Sequence, residues 1–393
     1  IVVIAWSMGV FFADKLFNHH LSSLPVTKVV AVNGTLSPID DLHGIPTDIF
    51  LKTMELPDQR AVDKFFRRIC GGSAAMKALL PSAPSRDVEN LREELQAIYH
   101  HVSESNQTAD SSRWDEIIIS RNDHIFPPDN MQRAWADDSM RITLLDNAHH
   151  LIDFQQAINI LFADKSLIET RFGTASVTYD SAAEVQMIVA NRTASLIEAT
   201  LPCRNGLNVL EIGSGSGLLS AHLQSLLTDS SITFRDFTPH EYPQLNGNKN
   251  TYCPCDAELA MLHDEPSSYD LIASSSTIQW FHSPRQTLKA IVKALRPGGV
   301  AVISYFGKGT FQAIADIVSL RYPIVCNSFI ERLGCDCQIE HQDIDIDYPS
   351  AAEALRNLRA TGVNALSSNP LPVSATREIM RRISNPDTTA TLT

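Results

Sequence analysis

The stretch Asn208-Val209-Leu210-Glu211-Ile212-Gly213-Ser214-Gly215-Ser216-Gly217 decides the fold of the second part of this chain. An apolar strand that runs straight into closely spaced glycines opens an α/β nucleotide-binding unit, because glycine lets the backbone close around a ligand. A dinucleotide loop follows G-x-G-x-x-G and would need glycine where Leu218 stands. Glycine falls instead at Gly213, Gly215 and Gly217, with Glu211 at the strand end. That spacing is the pattern of a loop that takes the methionine portion and ribose of S-adenosylmethionine.

The flanking sequence extends the pattern in order. Strands are expected at Ser231 to Phe234 and Tyr269 to Ser274, a helix from Pro284 to Leu295, a stop at Arg296-Pro297-Gly298-Gly299, and a strand at Val300 to Ser304. Acidic residues after the later strands suit a nucleoside: Asp236 the ribose hydroxyls, Asp256 the adenine amino group. Ser276, followed by Ile278-Gln279-Trp280-Phe281, is expected to line the donor. An amphipathic helix from Lys165 to Ile188 precedes the first strand. The expectation for residues 164–393 is a class I, Rossmann-like, S-adenosylmethionine-dependent methyltransferase fold. Such a fold ends in an inserted antiparallel strand, which is expected to be missing because the chain stops at Thr391-Leu392-Thr393.

The first residues carry a different chemistry. Ala5-Trp6-Ser7-Met8-Gly9 follows the apolar strand Ile1 to Ala5 and continues as an apolar helix, which places Ser7 on the sharp strand-to-helix turn of a nucleophile elbow. Small residues two before and two after the serine leave room for that turn. A buried strand at Lys28 to Val32, helices over about residues 47–110 that form a lid, and strands at Glu116 to Ser120 and Arg141 to Leu145 complete a parallel α/β sheet. In the serine, acid, histidine order of such folds, Asp123 follows one strand and the pair His149-His150 follows the next. His149 takes the proton from Ser7, Asp123 holds the imidazole, and the Met8 N–H faces the oxyanion, with His150 the alternative base.

Several runs are similar to a known family: Trp6-Ser7-Met8-Gly9-Val10, Val32-Asn33-Gly34-Thr35, Pro38-Ile39-Asp40, Gly44-Ile45-Pro46, and Asp123-His124-Ile125-Phe126-Pro127 with Asn130 and Gln132. By them, residues 1–162 resemble a pimeloyl-acyl-carrier-protein methyl ester esterase of biotin synthesis, an α/β-hydrolase. The resemblance implies Ser7, Asp123 and His149 as the triad. His149 is preferred because Asp146-Asn147-Ala148-His149 is closer to the family pattern. Family members carry strands and an oxyanion loop ahead of the elbow, so the domain over residues 1–163 is expected to be N-terminally truncated and to hydrolyse poorly as it stands.

Arg171-Phe172-Gly173 with Ala175 and Tyr179, Ile278-Gln279-Trp280, Phe306-Gly307 with Gly309-Thr310-Phe311, and the run Leu355 to Asn364 resemble a malonyl-acyl-carrier-protein O-methyltransferase over residues 169–393. This implies methyl transfer from S-adenosylmethionine to a free malonyl carboxylate, with Tyr179 on the lid and Arg356 or Arg359 holding the carboxylate. Acyl-carrier protein bearing a malonyl or a pimeloyl methyl ester chain is then the partner. The two halves together imply a bifunctional protein of biotin synthesis that makes a methyl ester and later removes it. The alternatives are a methyltransferase with an inert esterase remnant, a small-molecule methyltransferase of another pathway, and a donor-binding scaffold without turnover.

Composition narrows the partners. With 45 acidic against 32 basic residues the net charge is -13, which argues against a sequence-independent grip on nucleic acid. No apolar run approaches the ~20 residues of a membrane-spanning helix. The seven cysteines show no C-x-x-C spacing and follow no signal segment, so a reduced, cytoplasmic setting without a bound metal is expected.

Overall fold

Val2–Trp6 forms strand β1 of the computed structural model, and the tight turn at Ser7 leads into helix α1 (Gly9–His19) and strand β2 (Lys28–Val32). The structure describes residues 1–19, 26–82, 87–105, 111–136, 141–162, 165–237, 239–241, 243–307, 309–311, 313–314, 333–361, 372–384 and 390–392. The chain divides into two units, residues 1–161 and 162–393. The expected boundary residues 163 and 164, residues 106–110 of the expected lid, Cys326, and the Gly362-Val363-Asn364 end of the family-like run lie outside the described residues.

In the first unit β1 and β2 are joined by β3 (Glu116–Ser120) and β4 (Arg141–Leu145) in one parallel sheet of order β1-β2-β3-β4. Every residue of β2 and β3 is buried, as in a sheet covered on both faces. That burial takes in a cation: Lys28 Nζ lies 2.5 Å from Glu116 Oε1 and donates to Leu161 O at 3.0 Å, the last carbonyl of the terminal helix Phe154–Leu161. A paired lysine at a helix C-terminus is tolerated inside because both the carboxylate and the helix dipole compensate it.

Between β2 and β3 lie helices α2 (Thr47–Met54), α3 (Gln59–Cys70), α4 (Ser73–Leu79) and α5 (Val88–Ser103). Local chemistry sets their ends: the Asp58 and Asp87 side chains accept from Ala61 N and Asn90 N at the starts of α3 and α5. After β3 come α6 (Pro128–Ala134), then β4, then α7 (Phe154–Leu161). Because the sheet is parallel, Ser7, Asn33 and Ser120 all stand at the C-terminal edge of their strands.

The second unit begins with α8 (Lys165–Ala182) and α9 (Glu184–Thr200), where one helix to Ile188 was expected. The break falls at Ala183, fully buried, with ψ 46° outside the helical range. Then follow β5 (Asn208–Ile212), α10 (Leu218–Leu226), β6 (Ser231–Asp236), β7 (Lys249–Pro254), α11 (Ala257–Met261), β8 (Tyr269–Ser275), α12 (Pro284–Ala294) and β9 (Leu295–Ser304). The sheet is parallel with order β7-β6-β5-β8-β9. The chain therefore steps outward from β5 to β7 and then reverses to β8, and the crevice at that reversal is where such sheets bind ligands.

Strand β7 was not foreseen, since Lys249-Asn250-Thr251 is polar; it is an edge strand with no fully buried residue. The Arg296–Gly299 stop does not separate helix from strand: it bulges within β9, so that Tyr269 pairs with Leu295 but Leu271 with Val300. Strand β10 follows at Ile346–Tyr348. After α13 (Ala351–Ala360) and α14 (Val373–Ile383), β11 (Ala390–Leu392) pairs antiparallel with β10. Among the described residues no helix is long and apolar enough to cross a membrane.

Candidate active sites

Ser7 has φ 58°, the left-handed backbone of a residue forced around an elbow, and its N–H donates to Val32 O at 2.9 Å. The glycine that this elbow requires is not Gly9, where an added Cβ meets nothing within 4 Å among the described residues. It is Gly34, on the loop after β2: a Cβ there would sit 2.2 Å from Ser7 O. The close approach is between two strand ends, which spacing along one strand does not show.

The structure also corrects the base. His150, not His149, stands between the other two groups, with Nε2 2.9 Å from Ser7 Oγ and Nδ1 2.7 Å from Asp123 Oδ2. His149 turns the other way: its Nδ1 lies 3.1 Å from Asn122 O and its ring covers Gly71, the glycine that ends α3. The backbone around the pair is tied on both sides: Leu151 N donates to Ile69 O at 3.0 Å, and the His149 and His150 carbonyls accept from side chains at the strand ends. Asp123 is 4% exposed, and its Oδ1 accepts from Ile125 N and Phe126 N at 2.7 and 2.9 Å, which aims Oδ2 at the imidazole. The Phe126 ring stacks on His150 at 5.8 Å with planes 5° apart.

A cavity of about 190 Å³ opens on Ser7 and His150. Its other walls are mostly apolar, with Ile45 from the loop before α2 and Phe50, Phe65, Ile69 and Leu95 from the lid helices. Arg68 on α3 brings the one guanidinium among the lining residues, and it donates to His124 O at 2.5 Å. Nothing in the local sequence singled this arginine out, because the fold alone brings α3 over the elbow.

In the second unit a cavity of about 270 Å³ lies over the C-terminal ends of β5, β6 and β8. Gly213, Gly215 and Gly217 all line it and all have positive φ, at 71°, 50° and 92°. Gly213 is required twice over: besides its φ, a Cβ would meet Thr277 Oγ1 at 2.1 Å. The loop is held from β6, where Arg235 O accepts from Gly213 N at 2.7 Å and Asp236 Oδ2 accepts from Gly215 N at 3.0 Å.

The expected donor residues Glu211, Asp236, Asp256 and Ser276 and the expected acceptor residue Tyr179 also line this cavity. Glu211 is 1% exposed and accepts from Ser220 Oγ at 2.7 Å; burial pushes its carboxyl up to about 8, Ser220 opposing and the charge of Asp236 adding. Burial, with Asp180 and Asp236 nearby, also raises Tyr179, so its hydroxyl keeps its proton. Asp256 is already engaged: Lys165 Nζ lies 2.8 and 2.6 Å from its two oxygens, and Oδ1 caps the start of α11. Lys165 also pairs with Glu258 and lies 5.6 Å from the centre of the Phe281 ring. Sequence reasoning missed Lys165, since 91 residues separate it from Asp256.

Arg356 and Arg359 are not among the residues lining the cavity. Helix α13 turns Ala351, Ala354, Leu355 and Leu358 into a core, which leaves positions 356 and 359 exposed. Arg356 pairs with Glu353 at 2.8 Å on the same helix. The site does fit a polar ligand: Ser214 and Ser276 line it, and each has a buried hydroxyl oxygen with no partner among the described residues.

A family model described as pimeloyl-ACP methyl esterase BioG matches residues 1–158, and one described as a methyltransferase domain matches residues 210–301. The chain is 32% identical over 371 residues to a malonyl-[acyl-carrier protein] O-methyltransferase of Bacteroides fragilis, an alignment that covers 92% of this chain and 74% of that one. It is 29% identical over 215 residues to the protein of the same name from Haemophilus ducreyi, over 52% of this chain and 83% of the other. The crystal structure of BioG from Haemophilus influenzae is 31% identical, covering 40% of this chain and 69% of that one, with a TM-score of 0.35. The chain belongs to the malonyl-[acyl-carrier protein] O-methyltransferase family, with a BioG-type domain ahead of its methyltransferase domain.

Proposed function

We propose that the chain methylates the free carboxylate of malonyl-acyl-carrier protein and hydrolyses the methyl ester of pimeloyl-acyl-carrier protein, both as steps of biotin synthesis. The esterase reading is carried by one observation, the unbroken line of Ser7 Oγ, His150 and Asp123 on an apolar cavity. The acceptor reading rests on the relatives that bear the name malonyl-[acyl-carrier protein] O-methyltransferase. The domains we assign are 1–163 and 164–393. The free thiols, such as Cys70 and Cys203, support a cytoplasmic setting.

For hydrolysis, His150 Nε2 takes the Ser7 proton as Oγ attacks the ester carbonyl, and the Met8 N–H faces the oxyanion. The acyl–oxygen bond breaks, and methanol leaves with the proton from His150. Water then attacks the acyl-serine, His150 takes one of its protons and passes it to Ser7 Oγ as the acyl–serine bond breaks, and the acid released loses its remaining proton to solvent to give the carboxylate.

S-adenosylmethionine is the methyl donor of the second unit, and when bound it supplies an electrophilic methyl group. Asp236 is assigned to its ribose, and Ser214 and Ser276 bring hydroxyls that have no partner among the described residues. A malonyl carboxylate is ionised at neutral pH, so the residues need not remove a proton. Tyr179, protonated and half-buried, offers a hydrogen bond toward the acceptor, while Phe172, Trp280 and Phe281 wall out water. Arg356 and Arg359 are dropped from the carboxylate site.

Gly213→Ala should weaken donor binding at least tenfold in calorimetric titration of the full chain, since the new Cβ and Thr277 cannot share the space. Unchanged affinity would refute the assignment of the loop. Transfer of a labelled methyl group to malonyl-acyl-carrier protein tests the acceptor, and transfer to free malonate alone would place the chain in small-molecule methylation.

A further inference from the structure

The base of the esterase site is held by its backbone as well as by its ring. Two side chains from different strand ends donate to the carbonyl oxygen of His150: Trp6 Nε1 at 2.8 Å and Asn33 Nδ2 at 2.8 Å. Asn33 is fully buried, and its carboxamide is saturated. Nδ2 also reaches His149 O at 3.1 Å and Ser120 Oγ at 2.9 Å, while Oδ1 accepts from Ser120 N at 2.8 Å. The amide orientation is fixed by chemistry, since carbonyl oxygens only accept and the Ser120 N–H only donates.

Asn33 has φ 47°, a backbone that asparagine tolerates better than most residues, and its own N–H donates to Ile118 O at 2.9 Å. One residue thus joins the C-terminal ends of β2 and β3 to the loop that carries the base. Trp6 completes the clamp. It immediately precedes the nucleophile, and its indole lies 5.0 Å from the His150 ring, so the distance from Ser7 to the imidazole is set through two adjacent residues.

We propose that Asn33 and Trp6 are positioning residues of the esterase, holding His150 by its main-chain carbonyl so that Nε2 stays within reach of Ser7 Oγ. The inference rests on the esterase reading and assigns roles that the triad does not include. Serine hydrolysis depends on this reach, because a base displaced by about 1 Å can cost ~100-fold in rate. Asn33→Asp is nearly isosteric and keeps the acceptor for Ser120 N, but turns a carboxylate oxygen toward two carbonyl oxygens. Asn33→Gly keeps the left-handed backbone and removes the carboxamide. Trp6→Phe keeps an aromatic ring and removes the second donor.

The test is hydrolysis of a carrier-protein-linked methyl ester by the full chain, with thermal midpoints measured alongside. Asn33→Asp and Asn33→Gly should each lower kcat by about 100-fold with KM within a few-fold, a split that general loss of packing does not produce. Trp6→Phe and Asn33→Asp together should cost less than the product of the two, because both act on one carbonyl oxygen. Wild-type kcat in both Asn33 variants overturns the inference alone. A wild-type chain that neither hydrolyses the ester nor reacts at Ser7 with a fluorophosphonate overturns the esterase reading and the inference with it.

Discussion

His150→Ala should lower methyl-ester hydrolysis by about four powers of ten or more, while His149→Ala leaves it within about tenfold of wild type. The difference follows from where the two imidazoles point. His150 bridges Ser7 and Asp123 at 2.9 and 2.7 Å, and removing it leaves the serine without a base and Asp123 buried without its partner. His149 covers Gly71 and faces Asn122 O, so its loss removes packing between the lid and the histidine loop and no proton acceptor for Ser7. Ser7→Ala should match His150→Ala, and the double variant should be no worse than either, since triad members act as one unit. Steady-state rates on a carrier-protein methyl ester decide it. A large loss in His149→Ala with little in His150→Ala would refute the geometry, and equal small losses in both would refute triad catalysis.

How much of this was legible in the sequence depended on whether the deciding contacts were local. Strand β5 and the three glycines after it are a local pattern, and the loop and its place over the sheet follow from them. Strands β2, β3 and β4 were legible as short apolar runs for the same reason. The choice between His149 and His150 was not. It turns on contacts far away in the chain, the backbone hydrogen bond from Leu151 to Ile69 and the side-chain donors Trp6 and Asn33 on the His150 carbonyl. The demand for glycine at 34 rather than 9 arises where two strand ends meet, and Lys165 reaches Asp256 from a separate helix. Arg356 and Arg359 were misread because a family-like run carries residue types but not the face of the helix they occupy; the apolar residues Ala351, Ala354 and Leu358 define the inward face, and the arginines lie off it.

Glu211→Gln should make the methyltransferase unit more stable at neutral and alkaline pH, with little effect near pH 5. The folded carboxyl titrates near 8 against an ordinary value of 4.5. Below 4.5 both folded and unfolded chains hold the proton, and the group contributes nothing to the pH dependence. Between 4.5 and 8 the unfolded chain releases the proton while the folded chain keeps it, so wild-type stability falls as pH rises. The loss levels off above 8 at about 5 kcal/mol. Glutamine has nearly the same shape, can still accept from Ser220, and has no proton to lose. At pH 8.5 the variant should therefore unfold roughly 10–20 °C higher than wild type, taking about 2–4 °C per kcal/mol for a unit of this size. Thermal melts without donor, at pH 5 and pH 8.5, provide the check. Parallel pH dependence in the two proteins would mean that Glu211 is ionised in the folded chain beneath the donor cavity; a gap that widens with pH would mean that it keeps its proton there.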